Sequence, residues 1–233
     1  MSIAIITGVA GGYDLPVEQP ELDGVDFIFF TDGNIIPEKG TGWTYVHGID
    51  APSKLDSRRK AKFPKCNPQR YDLLRTYDAV IWIDGTLTVL KEEFPQELLS
   101  HMKNGVVLSP HFENRDNYSE ATIDTHPKYH NEPLANQAAH YRQEGMPSGT
   151  QLYECTILAW DPNHAEAQKI SEMWLQENLT WSYQDQVSLP YVIWKTGIEP
   201  GLLPQSWRKY EWVNMGIQTP KQLLVKFYAK IPN

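Results

Sequence analysis

Three short polar segments follow apolar runs: Gly8 to Asp14 (GVAGGYD), Thr31-Asp32-Gly33 and Asp84-Gly85-Thr86. Asp84 comes directly after AVIWI, with Gly85 permitting close backbone approach. A carboxylate there suits a divalent cation bridging a diphosphate, because hard cations take oxygen ligands and Mg²⁺ needs few from the protein. A turn Asp explains the same residue. The glycines of GVAGGYD let backbone N–H groups approach a nucleotide, yet the loop lacks the spacing of a P-loop or dinucleotide fingerprint, and an ordinary tight turn accounts for it equally. The segment RRKAKFPK (58 to 65) puts five positive charges into eight residues. On a helix, Arg58 with Lys62 and Arg59 with Lys62 share neighbouring faces, where cations neutralise charge developing on a departing diphosphate. A solvated basic face is the alternative. In HFENRDNYSEA (111 to 121), His111 is suited to hydrogen-bonding a substrate, Arg115 to clamping an anion and Glu120 to orienting a hydroxyl, unless all three belong to a surface loop. Asp185, in WSYQDQVSLPYVIW, stands near a helix start, where capping explains it and a cleft-facing position would make it a general base.

Apolar, β-branched and aromatic runs predict strands at Ile3 to Thr7, Asp26 to Phe30, Trp43 to His47, Ala79 to Ile83, Gly105 to Leu108 and Cys155 to Trp160. Helices are predicted from a Ser53 cap to Phe63, from Asn67-Pro68 to about Tyr77, from Asp161-Pro162 to about Leu179, and again around Asp185. Runs such as IAII and VIWI read as buried on both faces, as a helix-covered parallel sheet requires. The fold class is therefore α/β, with an open, mostly parallel sheet. Ligands collect at the carboxyl ends of such strands, so the three polar segments converge on one crevice.

The chain has 233 residues, 41% of them hydrophobic, enough for one sizeable core, so a single domain spanning 1–233 is expected. Its net charge of -8 provides no general attraction to nucleic acid or anionic lipid, which disfavours polymeric nucleic acid as a partner. The apolar runs are too short to span a bilayer and MSIAIITGVAGGYD has no basic n-region, so a soluble, unprocessed chain is expected. Cys66 and Cys155 show no metal-ligand or disulfide pattern, and a reducing cytoplasm is the simpler assignment.

Taken in order, GGYD (11 to 14), FFTD (29 to 32), RRKAKFPK, VIWIDG (80 to 85), PHFENRDNYSEA (110 to 121), EGMP (144 to 147) and QDQVSLPYVIWK (184 to 195) resemble one family. It is the glycosyltransferase-like domain family of plant mucilage and turgor-regulation proteins and of bacterial and viral proteins. That family is similar to glycogenin-like transferases, whose single Rossmann-like GT-A domain binds a nucleotide sugar. The resemblance runs from about Ile3 to Lys195. It implies a hexosyl- or pentosyltransferase using a nucleotide sugar, UDP-linked by expectation, with residues 1–110 binding the nucleotide and 110–233 the donor sugar and acceptor. The acceptor stays open between glycan, lipid, protein, small molecule and modified nucleobase.

Carried over by position, Gly12, Tyr13, Asp14, Thr31 and Asp32 would hold the nucleoside, Arg59 and Lys62 the diphosphate or donor sugar, and Asp84 the first place of an Asp-x-Asp metal motif. His111, Arg115 and Glu120 would line the sugar site, with Asp185 and Gln186 beside sugar and acceptor. The triplet here is Asp-Gly-Thr, without the second carboxylate, and the last histidine is His164, earlier than the late metal-binding histidine of glycogenin-like enzymes. A divalent cation, Mn²⁺ or Mg²⁺, held by Asp84 with diphosphate oxygens and water remains the expectation. The alternative gives the leaving-group charge to the basic segment. Two other functions compete: a sugar-phosphate nucleotidyltransferase, which usually carries a basic residue in its first glycine-rich loop, and a silent carbohydrate-binding protein.

Overall fold

The computed structural model describes residues 1–37, 39–113, 115–122 and 127–216. Its centre is a sheet of seven strands in the order β3-β2-β1-β4-β7-β6-β8. These are β1 (Ile3–Val9), β2 (Val25–Thr31), β3 (Tyr45–Gly48), β4 (Ala79–Ile83), β6 (Val106–Pro110), β7 (Tyr153–Trp160) and β8 (Gly201–Leu202). Parallel pairing joins β1 with β2 and β4, β2 with β3, and β6 with β8. Only β7 runs the other way, antiparallel to both β4 and β6. The sheet is thus mixed and mostly parallel, and the fold is α/β and Rossmann-like. A small second sheet pairs β5 (Leu87–Val89) with β9 (Val213–Met215).

Period-two alternation along the strands sorts the core onto two faces. Ala4, Ile6, Ile28, Phe30, Val80, Trp82, Leu158 and Trp160 point to one side, where helices α1 (Ser57–Cys66), α5 (Ala165–Thr180) and α6 (Asp185–Thr196) bury them. Ile3, Ile5, Phe27, Ile81, Ile83, Ile157 and Ala159 point to the other, against Phe94 and Leu98 of α2 (Phe94–Leu99) and against Trp207, Trp212 and Val213. Helices α3 (Asn117–Thr122) and α4 (Leu134–Gln143) complete the first layer beside α6.

Several boundaries differ from expectation for local reasons. Helix α1 is capped by Asp56 rather than Ser53: the Asp56 carboxylate accepts from Arg59 N at 2.9 Å, while Ser53 sits in the turn closed by Leu55 N to Pro52 O. The helix continues past Phe63 to Cys66 with Pro64 inside it. The Pro64 ring lies over Gly8 of β1, where an added Cβ would stand 3.1 Å from it, so a glycine in the strand lets the helix settle closely. The helix expected from Asn67 to Tyr77 is instead two 3₁₀ turns, Pro68–Arg70 and Leu74–Thr76. Extended Tyr71 interrupts them because its ring is drawn into the core against Phe30, 4.7 Å between centroids. Helix α5 starts at Ala165 under a His164 cap, and β3 starts at Tyr45, Trp43 having left the strand to pack edge-on against Phe27.

Candidate active site

The carboxyl ends of β1 and β4 face α1 across a cleft of about 240 Å³. Four elements besides the strand ends line it. The loop after β1 brings Tyr13, Asp14 and Leu15; α1 brings Arg58, Ala61, Lys62 and Lys65; the approach to α6 brings Tyr183 and Asp185; and the 3₁₀ turn Pro127–Tyr129 brings Lys128 and Tyr129. Positions 58, 61, 62 and 65 are spaced i, i+3, i+4 and i+7, one face of a helix. In most helices packed on a sheet that stripe would be apolar. Here it is cationic, in a chain of net charge -8.

The centre of the cleft is an ion cluster. Asp185, the first residue of α6, accepts from Lys62 Nζ and Lys65 Nζ, each 2.7 Å from its Oδ2. Lys65 Nζ also lies 3.5 Å from Asp84 Oδ1 and 5.3 Å from the centre of the Trp82 ring, while the Trp82 indole donates to the same Asp84 oxygen at 2.9 Å. Burial works to raise the Asp185 carboxyl, but the charges of Lys62 and Lys65 overcome it and hold the group well below the usual carboxylate range. Burial likewise works against the Lys65 ammonium, and Asp185 with Asp84 more than restores it. Lys128 is pushed down by burial and by the like charges of Lys62, Arg58 and Lys65, with Asp185 opposing. The capping explanation of Asp185 therefore gives way to a charged cluster.

The residues singled out from the sequence separate into those on the cleft and those behind it. Tyr13, Asp14, Lys62, Asp84, Gly85 and Asp185 line it. Arg58 stacks over the Tyr13 ring at 4.5 Å. Gly85 has no positive φ, and a Cβ there would meet only ordinary contacts, so its freedom is not what shapes the turn; its carbonyl instead accepts from Val17 N at 2.9 Å. Gly12 and Asp32 build the neighbouring loop: Gly11 and Gly12 take positive φ, and Gly11 N donates to Asp32 Oδ2 at 2.9 Å, tying the loop after β1 to that after β2. Thr31 Oγ1 donates to Ile35 O.

Arg59 faces away. Its guanidinium forms a fork onto Glu132, at 3.3 and 2.8 Å, and also binds Asp56 and the Trp181 carbonyl. Glu120 and Arg115 stand behind the wall: Arg115 pairs with Glu120, whose other oxygen accepts from Gln184, and Gln184 in turn accepts from the Tyr129 hydroxyl on the cleft. Glu120 thus reaches the cleft only through two intermediaries. His111 stacks on Phe112 and accepts from Glu113 N, off the cleft, and half-buried Gln186 follows Asp185 without lining it.

Sequence reasoning did not single out Lys65, Trp82, Lys128, Tyr129 or Tyr183 as site residues. For Lys65 the signal was present, since it continues the Arg58 and Lys62 spacing by one turn; Lys128 and Tyr129 arrive through tertiary packing alone.

A cation at Asp84 is tested by its donor set. Among the described residues no group of three or more His, Cys, Asp or Glu side chains is placed to hold a metal. Asp84 Oδ1 already serves the Trp82 indole and stands beside the Lys65 ammonium. A dication drawn to that carboxylate would lie next to a buried positive charge, so this set of residues does not fit the group, and no step is routed through one.

An α/β sheet whose first and fourth strands end in a cleft lined by both cations and carboxylates defines a Rossmann-like protein. Residues 40–204 match the family described as TOD1/MUCI70, glycosyltransferase-like domain, and the chain belongs to that family. The match takes in α1, Asp84 and Asp185 and leaves the GGYD and FFTD segments outside it. Among curated proteins none matches the chain. Membership supports a glycosyltransferase in general and implies a sugar donor and an acceptor. No helix among the described residues is long and apolar enough to cross a membrane.

Proposed function

We propose that the cleft binds the diphosphate of a nucleotide sugar, UDP-linked by preference, and that the chain transfers the hexosyl or pentosyl group to an acceptor in the cytoplasm. The observation that supports this most is the stripe of Arg58, Lys62 and Lys65 on one face of α1, aimed across the strand ends at Asp84 and Asp185. Lys62 and Lys65 are already paired with Asp185, and each ammonium keeps further N–H groups from which an anionic ligand can accept. Tyr13 and Asp14, beside the stripe, then stand at the nucleoside, and Asp185 at the donor sugar. The test is a panel of nucleotide sugars assayed for released nucleoside diphosphate, with UDP-sugars expected to be turned over. A panel in which none is turned over overturns the reading in favour of a silent binding protein.

UDP, binding only the folded protein, is expected to raise the melting temperature by about 5–10 °C at a hundredfold excess over its Kd, measured by scanning calorimetry beside GDP, CDP and ADP. Arg59→Ala is expected to behave differently from the cleft cations. Losing the charged hydrogen bonds to Glu132 and the Trp181 carbonyl should cost about 2 kcal/mol of stability. UDP affinity should fall by less than about tenfold, because the guanidinium does not line the cleft and reaches it only through the Tyr183 ring, 5.3 Å away. A large loss of affinity with unchanged stability would return Arg59 to the ligand.

A further inference from the structure

The Asp84 carboxylate and the Lys65 ammonium occupy the place where the sequence leads one to expect a metal, and the ammonium is the better anchored of the two. Lys65 is 6% exposed. It is held at 2.7 Å by Asp185 and at 3.5 Å by Asp84 and lies over the Trp82 ring. Its position is set by α1, whose close approach to β1 depends on Pro64 lying over Gly8. Lys62, one turn earlier, shares Asp185 Oδ2 and lines the same cleft. An ammonium has three N–H groups, and the bond to Asp185 uses one of them on Lys62, leaving donors for phosphate oxygens. Among the lining side chains Arg58, Lys62, Lys65 and Lys128 are cationic, and Asp14, Asp84 and Asp185 anionic. The surplus is already positive before any ligand enters. A dication by itself would add to that surplus of one charge, whereas a diphosphate, with about two negative charges, more than cancels it.

We propose that glycosyl transfer by this chain requires no divalent cation, and that the ammonium groups of Lys62 and Lys65, brought together on one oxygen of Asp185 and oriented by it, stabilise the departing diphosphate in its place. The inference rests on the donor-site reading above and deepens it. In the step, the bond between the donor's anomeric carbon and the β-phosphate oxygen breaks with its electron pair staying on that oxygen. The acceptor hydroxyl oxygen forms the new bond to the same carbon, and its proton passes to solvent. Both lysines act by hydrogen bonding to the oxygens whose charge grows. Preorganised charge of this kind acts without reorganisation at the moment of bond cleavage.

The test uses the full chain after chelator treatment. UDP binding is measured by calorimetry in metal-free buffer and with 1 mM Mn²⁺, and UDP release from the donor sugar found active in the panel is measured in the same two buffers. Kd and rate are expected to agree within about twofold between buffers, and Lys62→Met to weaken UDP by about 10–100-fold in both, the effect of losing a charge-assisted hydrogen bond. Lys62→Met is chosen because its ammonium is the less buried of the pair, at 14% side-chain exposure against 8%, so the variant folds more readily than Lys65→Met. Electron paramagnetic resonance of the protein with Mn²⁺ before UDP is added should show only the free aqueous ion. UDP binding that needs Mn²⁺, or that it tightens tenfold or more, overturns this inference and leaves the donor reading standing. Absence of nucleoside diphosphate binding in both buffers overturns the two together.

Discussion

Asp185→Asn is expected to lower the melting temperature by about 10 °C, because it takes from Lys62 and Lys65 the carboxylate they share and leaves Lys65 only the longer contact to Asp84. The amide keeps the shape of the side chain and loses only its charge, so the cost measures the ion cluster rather than packing. Breaking one partner of a buried pair typically costs about 3–5 kcal/mol. From the sequence Asp185 is either a cap or a general base; in the fold its Oδ2 also joins α6 to α1 through both lysines. Affinity and rate should part company. UDP affinity should hold or rise, because two cations lose an internal competitor, while turnover falls about 100-fold as the cations lose their orientation. Calorimetry and steady-state release of UDP check the two halves separately.

The same cluster dictates how stability depends on pH. The folded-state pKa of Asp185 is depressed below the ordinary 3.8, so its contribution is fully present above that value and is lost as pH falls through the lower, folded one. The folded-state pKa of Lys65 is raised above the ordinary 10.5, so its contribution is fully present below that value and is lost as pH rises through the higher one. This cluster therefore favours a stability plateau across the neutral range, and in Asp185→Asn the acid limb belonging to this residue should disappear. A variant whose acid limb matches the wild type would remove Asp185 from that role.

Trp174→Ala is expected to cost about 3–5 kcal/mol, as deletion of a large buried ring does, and so to lower the melting temperature by roughly 10–15 °C. Trp174 is fully buried on α5 and packs against Trp160 of β7 with centroids 6.1 Å apart. Its indole N–H also reaches the Asp185 carbonyl at 3.2 Å and Ser188 Oγ at 3.1 Å, so one side chain both fills the core and fixes the first turn of α6. Trp174→Phe separates the two roles. It keeps most of the packing and removes the donor, which should cost about 1 kcal/mol and leave Asp185 less firmly placed against the lysines. Thermal unfolding of the two variants reads the packing part; UDP release by Trp174→Phe reads the positioning part. Equal stability of Ala and Phe variants would show that the ring's packing counts for little.

Much of the architecture was legible from local pattern. IAII, FIFF, AVIWI and ILAW lie in strands because apolar runs of four to five residues can be buried only where both faces of a sheet are covered, and each lies in the central sheet. The antiparallel direction of β7 and the pairing of β5 with β9 left no such trace, since strand direction and long-range pairing are set by where the connecting helices settle. The helix after Asn67 failed for a related reason: the capping signal is local, but Tyr71 is drawn into the core, and burial of an aromatic ring outweighs a cap.

For the cleft, strand-end position drew attention to Asp84, a helix start to Asp185 and charge clustering to Lys62, while Tyr13 and Asp14 entered through the family resemblance; the fold brings all five to one cleft. Which of the neighbouring cations turns inward was a matter of partners far along the chain. Arg58 and Arg59 are adjacent and chemically identical in sequence; Glu132 takes the second and leaves the first to Tyr13. The meeting of Lys65 with Asp84 and Asp185 likewise needs α1, β4 and α6 folded together. Spacing assigns a charged residue to a face, but its role follows from the opposite charge that packing brings to within hydrogen-bonding distance, and that charge belongs to the fold.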